Sequence, residues 1–205
     1  MNNKLKVYVV GGSTFYANWI YDKELINRAE EADIILFTGG EDVDPSYYGE
    51  KKGNRTYSNI ERDKREKVYF DAFPDTFKLG ICRGSQFLTV MAGGKLIQHV
   101  NNHGMTHQIV DLRTNKDYKM TSTHHQMHYP FDVEHELIAA ASPSRSTTYL
   151  NGDNEEISLP KGFAESEIVY YPKIKALGIQ GHPEMVVDHS LHYYLNSLIR
   201  DYIHL

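Results

Sequence analysis

Cysteine is almost missing from this sequence: there is one, Cys82, in 205 residues. A lone cysteine makes no internal disulfide and no multi-cysteine zinc site, so its interest lies in its own reactivity. Long apolar runs are missing as well. No stretch approaches the ~20 consecutive apolar residues that span a bilayer, and Met-Asn-Asn-Lys leads into a strand-like run instead of a signal-peptide core. The expectation is a soluble, cytoplasmic protein without a membrane partner. Positive charge is also short: 22 Lys and Arg against 27 Asp and Glu leave −5 with the 11 histidines neutral. That balance offers no broad field for phosphate backbones, so nucleic acid is not an expected partner. Repeats, low-complexity tracts and linker-like shifts in composition are absent too, and residues 1–205 read as one domain.

What is present alternates. Residues 5–10, 33–37, 77–81 and 175–180 are short aliphatic runs with little polar alternation, which suits strands buried on both faces. A helix is predicted to open at Asp22, with Leu25, Ile26 and Ala29 on one stripe, giving a β-α-β start and a mainly parallel sheet. From Ile60 to Phe73, Glu61/Arg65, Arg62/Glu66 and Asp63/Lys67 stand four apart, the pattern of a solvated helix face. A last helix is capped by Asp188 and aligns Leu191, Leu195, Leu198, Tyr202 and Leu205. Between Asn101 and Pro172, pieces near 107–112, 136–141 and 167–171 are expected to be antiparallel additions.

The chemistry gathers on a few segments. Gly80-Ile-Cys82-Arg-Gly84 joins a strand to a helix and is the thiol version of the G-x-S-x-G elbow, whose glycines clear space around a nucleophile on a strained turn. Cys82 then meets a helix N-terminus, where free N–H groups and the helix dipole favour a thiolate. Strand 175–180 runs into Gly181-His182-Pro183-Glu184, in which a carboxylate two residues from an imidazole can orient it as triad logic requires. Gly39 and Gly40 follow strand 33–37 and let backbone N–H groups approach a ligand. His103 and His107 are four apart, yet Asn101-Asn102 and Gly104 break the helix that would give this spacing meaning, so no metal site is expected. Ser122-Thr-His124-His125-Gln126 reads instead as a polar wall that holds substrate by hydrogen bonds.

Together these segments resemble the class I glutamine amidotransferase superfamily, and within it the γ-glutamyl hydrolases typified by γ-glutamyl-γ-aminobutyrate hydrolase. The likeness is carried by Gly39-Gly40-x-Asp42-Val43-x-Pro45-x-x-Tyr48-Gly49, Leu79-Gly-Ile-Cys82-Arg-Gly84-x-Gln86, Ser122-x-His124-His125-Gln126 and Gly178-Ile-Gln180-x-His182-Pro183-Glu184. The resemblance implies a flavodoxin-like doubly wound sheet with helices on both faces and no metal or organic cofactor. It implies Cys82 as nucleophile, His182 as base, Glu184 as its orienter, and the N–H groups of Gly40 and Arg83 as an oxyanion hole. Gly39, Gln86, His124, His125 and Gln126 would hold the glutamyl group of a small-molecule substrate. Two departures stand out: Gly181 replaces the aromatic residue many relatives carry, and the Asp-Gly-x-Val-Glu-Ala segment is missing from a short region 127–167. The expected activity is hydrolysis of a γ-glutamyl amide. The alternatives are a glutaminase subunit that passes ammonia to a separate synthetase and a non-catalytic binding protein on the same fold. The 15 tyrosines would serve an aromatic interface in a homo-oligomer.

Overall fold

The computed structural model describes residues 4–204. Its first half supplies the strands β1 (Leu5–Val10), β2 (Lys23–Leu25), β3 (Ile34–Phe37) and β4 (Phe77–Ile81), and the helices α1 (Ile60–Ala72) and α2 (Arg83–Met91). The second half adds β5 (Lys95–Ile97), β6 (His99–Val100), β7 (His107–Asp111), β8 (Lys116–Met120), β9 (Met127–Tyr129), β10 (Glu136–Ala141), β11 (Tyr149–Leu150), β12 (Ser166–Tyr171) and β13 (Ala176–Ile179). It closes with α3 (His189–Tyr202).

Nine strands form one sheet in the order β2-β1-β3-β4-β13-β12-β10-β7-β8. From β2 to β13 every pairing is parallel, and from β13 to β8 every pairing is antiparallel. The unbroken apolar strand β3 explains itself through its two faces. Ile34 and Leu36 enter one core with Leu79, Ile81, Leu177, Ile179 and the α3 residues Leu191, Leu195 and Leu198. Ile35 and Phe37 enter the opposite core with Phe87, Leu88 and Val90 of α2. A strand covered on both sides gains nothing from a polar residue at alternate positions. Among the described residues no helix is long and apolar enough to cross a membrane.

The sheet's antiparallel half agrees with the expectation for 107–112, 136–141 and 167–171. Asp188 caps α3 by accepting from the N–H groups of Ser190 and Leu191, and Leu191, Leu195, Leu198 and Tyr202 are buried as its stripe predicts; Leu205 lies outside the described residues. The helix expected from Asp22 is not formed. That stretch becomes the edge strand β2 and a single 3-10 turn at Ala29–Glu31. The open edge of β1 captures it: Leu5 N–H donates to Asp22 O at 2.8 Å and Ile26 N–H to Val7 O at 3.1 Å. A three-residue apolar stripe is too short to outweigh such pairing, because most helix stability comes from packing a long face.

Candidate active site

The carboxyl ends of β3, β4 and β13 open into a cleft of about 390 Å³ lined by Gly40, Asp42, Cys82, Gln86, His125 and His182, among others. Cys82 sits between β4 and α2 with φ +51° and ψ −110°, a region L-residues rarely occupy. Its N–H donates to Ile179 O at 2.8 Å, which ties the elbow to the neighbouring strand. The flanking glycines are steric necessities. A Cβ on Gly80 would lie 2.6 Å from the backbone of Gly84 and Ser85, and one on Gly84 only 2.1 Å from Phe37 O.

His182 and Glu184 meet as their spacing suggests: Nδ1 is 2.7 Å from Glu184 Oε1. Both are buried. Burial alone would lower the imidazole's pKa, but the neighbouring Cys82 and the hydrogen-bonded Glu184 carboxylate outweigh it and raise the value to about 10. Nε2 of His182 also lies 3.0 Å from Thr123 Oγ1. Thr123 belongs to the wall segment, and its contact with the imidazole had no signal in the sequence beyond its neighbours. Gly39 is needed here too, since a Cβ would come within 2.9 Å of Tyr16 Oη and 3.1 Å of His182 Cε1. Gly181 has a like explanation: a Cβ would meet Met120 Cγ at 2.1 Å and Thr121 O at 2.9 Å, and His182 N–H donates to Thr121 O at 2.7 Å. The end of β8 fills the space where a larger residue would stand.

Under the glycine loop the solvated-face reading of α1 fails at Asp63 and Glu66, which are 0% and 2% exposed. Arg83 reaches down from α2 and pairs with both. Glu66 also accepts from Arg62 Nε at 2.8 Å, and Arg62 Nη2 donates to Thr38 O at 3.1 Å and Gly39 O at 2.9 Å. Asp63 in turn accepts from Asp44 N–H at 2.9 Å. Two cations and two carboxylates therefore fix the loop at Thr38–Asp44 to the base of the elbow. Gly40 has φ +141°, and a Cβ there would clash with Arg62 Nη1 at 2.0 Å. Only Arg62–Glu66 of the expected surface pairs on α1 forms at four-residue spacing; Glu61 pairs with Lys64, and Lys67 with Asp71.

The wall residues divide. His125 stands at the rim with Nε2 3.3 Å from Asp42 Oδ1. Gln86 Nε2 donates to Gln126 O at 3.1 Å, and Gln126 Nε2 to Thr56 Oγ1 at 3.1 Å, so the two glutamines brace each other and the adjoining loop. His124 turns inward. Its Nδ1 donates to Gln126 O at 2.9 Å, and its Nε2 points to Glu167 Oε1 at 3.7 Å. There it joins His103 and His107, whose spacing of four was given no meaning once the helix was broken. The gathering is done by the sheet: His103 precedes β7, His107 opens it, His124 follows β8 and Glu167 lies in β12.

Comparisons with known proteins agree with this architecture. The Peptidase C26 family profile matches residues 6–148. A glutamine amidotransferase-like protein of Rickettsia prowazekii is 39% identical over 88 residues, 40% of this chain and 31% of its own length. A glutamine amidotransferase-named protein of Schizosaccharomyces pombe is 27% identical over 180 residues, 80% of this chain and 69% of its own. The chain spans about a third of the length of the first two curated relatives it matches. Among solved structures, a Thermoplasma acidophilum protein described as a GMP synthase component superposes with TM-score 0.61 at 16% identity, covering 99% of this chain and 94% of that one. A glutamine amidotransferase from Thermotoga maritima gives 0.56 at 13% identity, covering 96% and 83%. The fold is thus the flavodoxin-like one of the class I glutamine amidotransferase-like superfamily. Within that superfamily the chain belongs to the Peptidase C26 family.

Proposed function

We propose that the chain is a cysteine-dependent hydrolase of a γ-glutamyl amide, either glutamine or a γ-glutamyl conjugate of another amine, similar to the γ-glutamyl-γ-aminobutyrate hydrolases. The observation that carries this reading is the convergence of Cys82 and His182 on one cleft, with His182 Nδ1 held 2.7 Å from Glu184 Oε1 and the cysteine on a positive-φ elbow. His182 takes up the Cys82 thiol proton as the sulfur attacks. The sulfur adds to the side-chain carbonyl, and the oxyanion is held by the N–H groups of Gly40 and Arg83. His182 gives its proton to the departing amine, leaving a γ-glutamyl thioester. Water, deprotonated by His182, then frees glutamate and the thiol. Glu184 keeps the imidazole turned and balances its charge throughout. The Arg62, Glu66, Arg83, Asp63 network supports the oxyanion side by fixing the Gly39 carbonyl and hence the orientation of the following peptide. Gln86, His125 and Gln126 surround the glutamyl group, with His124 acting from behind the wall. No cofactor takes part in the reaction as written.

The test is glutamate release from L-glutamine and from a panel of γ-glutamyl amides, with Cys82→Ala as control. Rapid turnover of one conjugate over glutamine supports a dedicated hydrolase and identifies its amine. Slow, Cys82-dependent turnover of glutamine alone would favour a subunit that delivers ammonia to a synthetase. Activity retained in Cys82→Ala would refute both.

A further inference from the structure

Behind the cleft wall lies a cluster of which the proposed reaction draws on His124 alone. The ligating atoms of His103, His107, His124 and Glu167 all fall within 4.8 Å of one another, and every one of these side chains is at most 4% exposed. Glu167 Oε1 is the common focus, 2.8 Å from His107 Nε2, 3.3 Å from His103 Nδ1 and 3.7 Å from His124 Nε2.

Proton counting exposes the difficulty of this arrangement. The other nitrogen of each ring also faces an oxygen: His107 Nδ1 meets Met105 O at 2.9 Å, His124 Nδ1 meets Gln126 O at 2.9 Å, and His103 Nε2 meets Glu165 Oε2 at 3.1 Å. A neutral imidazole has one N–H. With that proton given to the outer oxygen, three bare nitrogens converge on a carboxylate, lone pair against lone pair. The geometry registers the conflict: both ring nitrogens of His103, His124 Nε2 and Glu167 Oε2 are buried with no aligned hydrogen-bond partner, and of the three inner nitrogens only His107 Nε2 meets Glu167 in hydrogen-bond geometry. Outer nitrogens of His107 and His124 anchored on backbone carbonyls, with the inner nitrogens convergent on one carboxylate, are the arrangement that orients imidazoles around a metal.

We propose that His103 Nδ1, His107 Nε2, His124 Nε2 and the Glu167 carboxylate bind one divalent transition-metal ion of the zinc class, which fastens the cleft wall to the sheet. Three imidazoles and one carboxylate suit zinc and not magnesium or calcium, which take mainly oxygen. Tetrahedral bonds of about 2.0–2.1 Å put ligand atoms about 3.3 Å apart, so the widest separation closes with movements of under about 1 Å per side chain. The charge also balances, since Glu165 and Glu167 offset a dication among neutral rings. All four positions are filled by protein, so the ion is structural. Its effect on the reaction passes through His124, whose neighbours Thr123, His125 and Gln126 line the cleft.

Metal content tests this without reference to turnover. The purified full chain should carry about one zinc per molecule by plasma mass spectrometry, as a closed four-ligand site requires. It should keep that zinc through dialysis against a chelator, and equally in Cys82→Ser. Refolded with Co²⁺, it should show the strong visible bands of a tetrahedral ion, and Glu167→Gln and His107→Gln should lose both signals. Only a small fraction of zinc per chain after refolding in excess Zn²⁺, zinc that departs with Cys82→Ser, or a weak octahedral Co²⁺ spectrum would each overturn the proposal. Because the Co²⁺ spectrum is read on the unaltered chain, misfolding of a variant leaves the test intact.

Discussion

Replacing Glu66 by Gln separates two readings of helix α1 that differ by several kcal/mol. If α1 presented a solvated charged face, losing one carboxylate would cost at most about 1 kcal/mol. In the structure Glu66 is 2% exposed and answers two guanidiniums, Arg83 and Arg62. The amide keeps the shape but leaves Arg83 with Asp63 alone, and Arg62 with a half-exposed Glu41 at 3.6 Å. Removing one partner from a buried ion pair costs about 3–5 kcal/mol, because a buried charge is left without compensation. That is a large part of the about 5–15 kcal/mol by which domains are stable. With a urea slope near 2–3 kcal/mol/M, the midpoint should fall by about 1–2 M with the slope unchanged. Glu61→Gln, on the exposed Lys64 pair of the same helix, is the internal control and should leave the midpoint within experimental error. A Glu66→Gln midpoint as little moved as the Glu61→Gln one would refute the buried network and return α1 to a simple surface helix.

Other perturbations have equally definite directions. The His182 pKa of about 10 lies above its ordinary 6.5, so this group's stabilisation is complete below about pH 6.5 and is lost as pH rises through 10. The stability difference between the unaltered chain and His182→Gln, measured by urea titration at stepped pH, should therefore shrink from pH 7 to 10; a gap that widens would contradict the assignment. Glu184→Gln should lower kcat by about 10²–10⁴-fold with little change in KM, as measured on the conjugate the panel selects. Gly84→Ala pushes a Cβ to 2.1 Å from a backbone oxygen of the central strand, and soluble, folded protein should be scarce by circular dichroism. Gly181→Ala meets mainly the flexible Met120 side chain, and its thermal midpoint should drop far less.

Local signals read directly where one segment contains the whole cause. α3 is such a case, since its cap and stripe lie within a few turns; the elbow is one at Gly80, which the backbone of Gly84 and Ser85 dictates, whereas Gly84 answers to Phe37 of the neighbouring strand. The central strands were legible because burial on both faces removes alternation altogether. The stretch after Asp22 was not, since what decides its form is the unpaired edge of β1 some 15 or more residues away. Asp63 and Glu66 look like any i,i+4 surface charges until Arg83 arrives from another helix. The histidines show the same limit. Spacing of four has a meaning on a helix, but His103, His107, His124 and Glu167 are brought together by strand pairing and by a wall that returns on itself, and Glu167 sat within an ordinary strand pattern. Gly181 was visible as a departure, while its cause, the approach of Met120 and Thr121, belongs to the packed sheet.

The central claim of the proposal is that Cys82 is a nucleophile aimed at the γ-carbonyl of a bound glutamyl group. Intact-protein mass spectrometry after exposure to a diazoketone analogue of glutamine measures this most directly. The account predicts a single adduct mapped to Cys82, slowed by excess L-glutamine, slower still in Glu184→Gln and absent in Cys82→Ala. An unmodified chain, or labelling at Cys82 that is as fast in urea as in the folded protein, would contradict it.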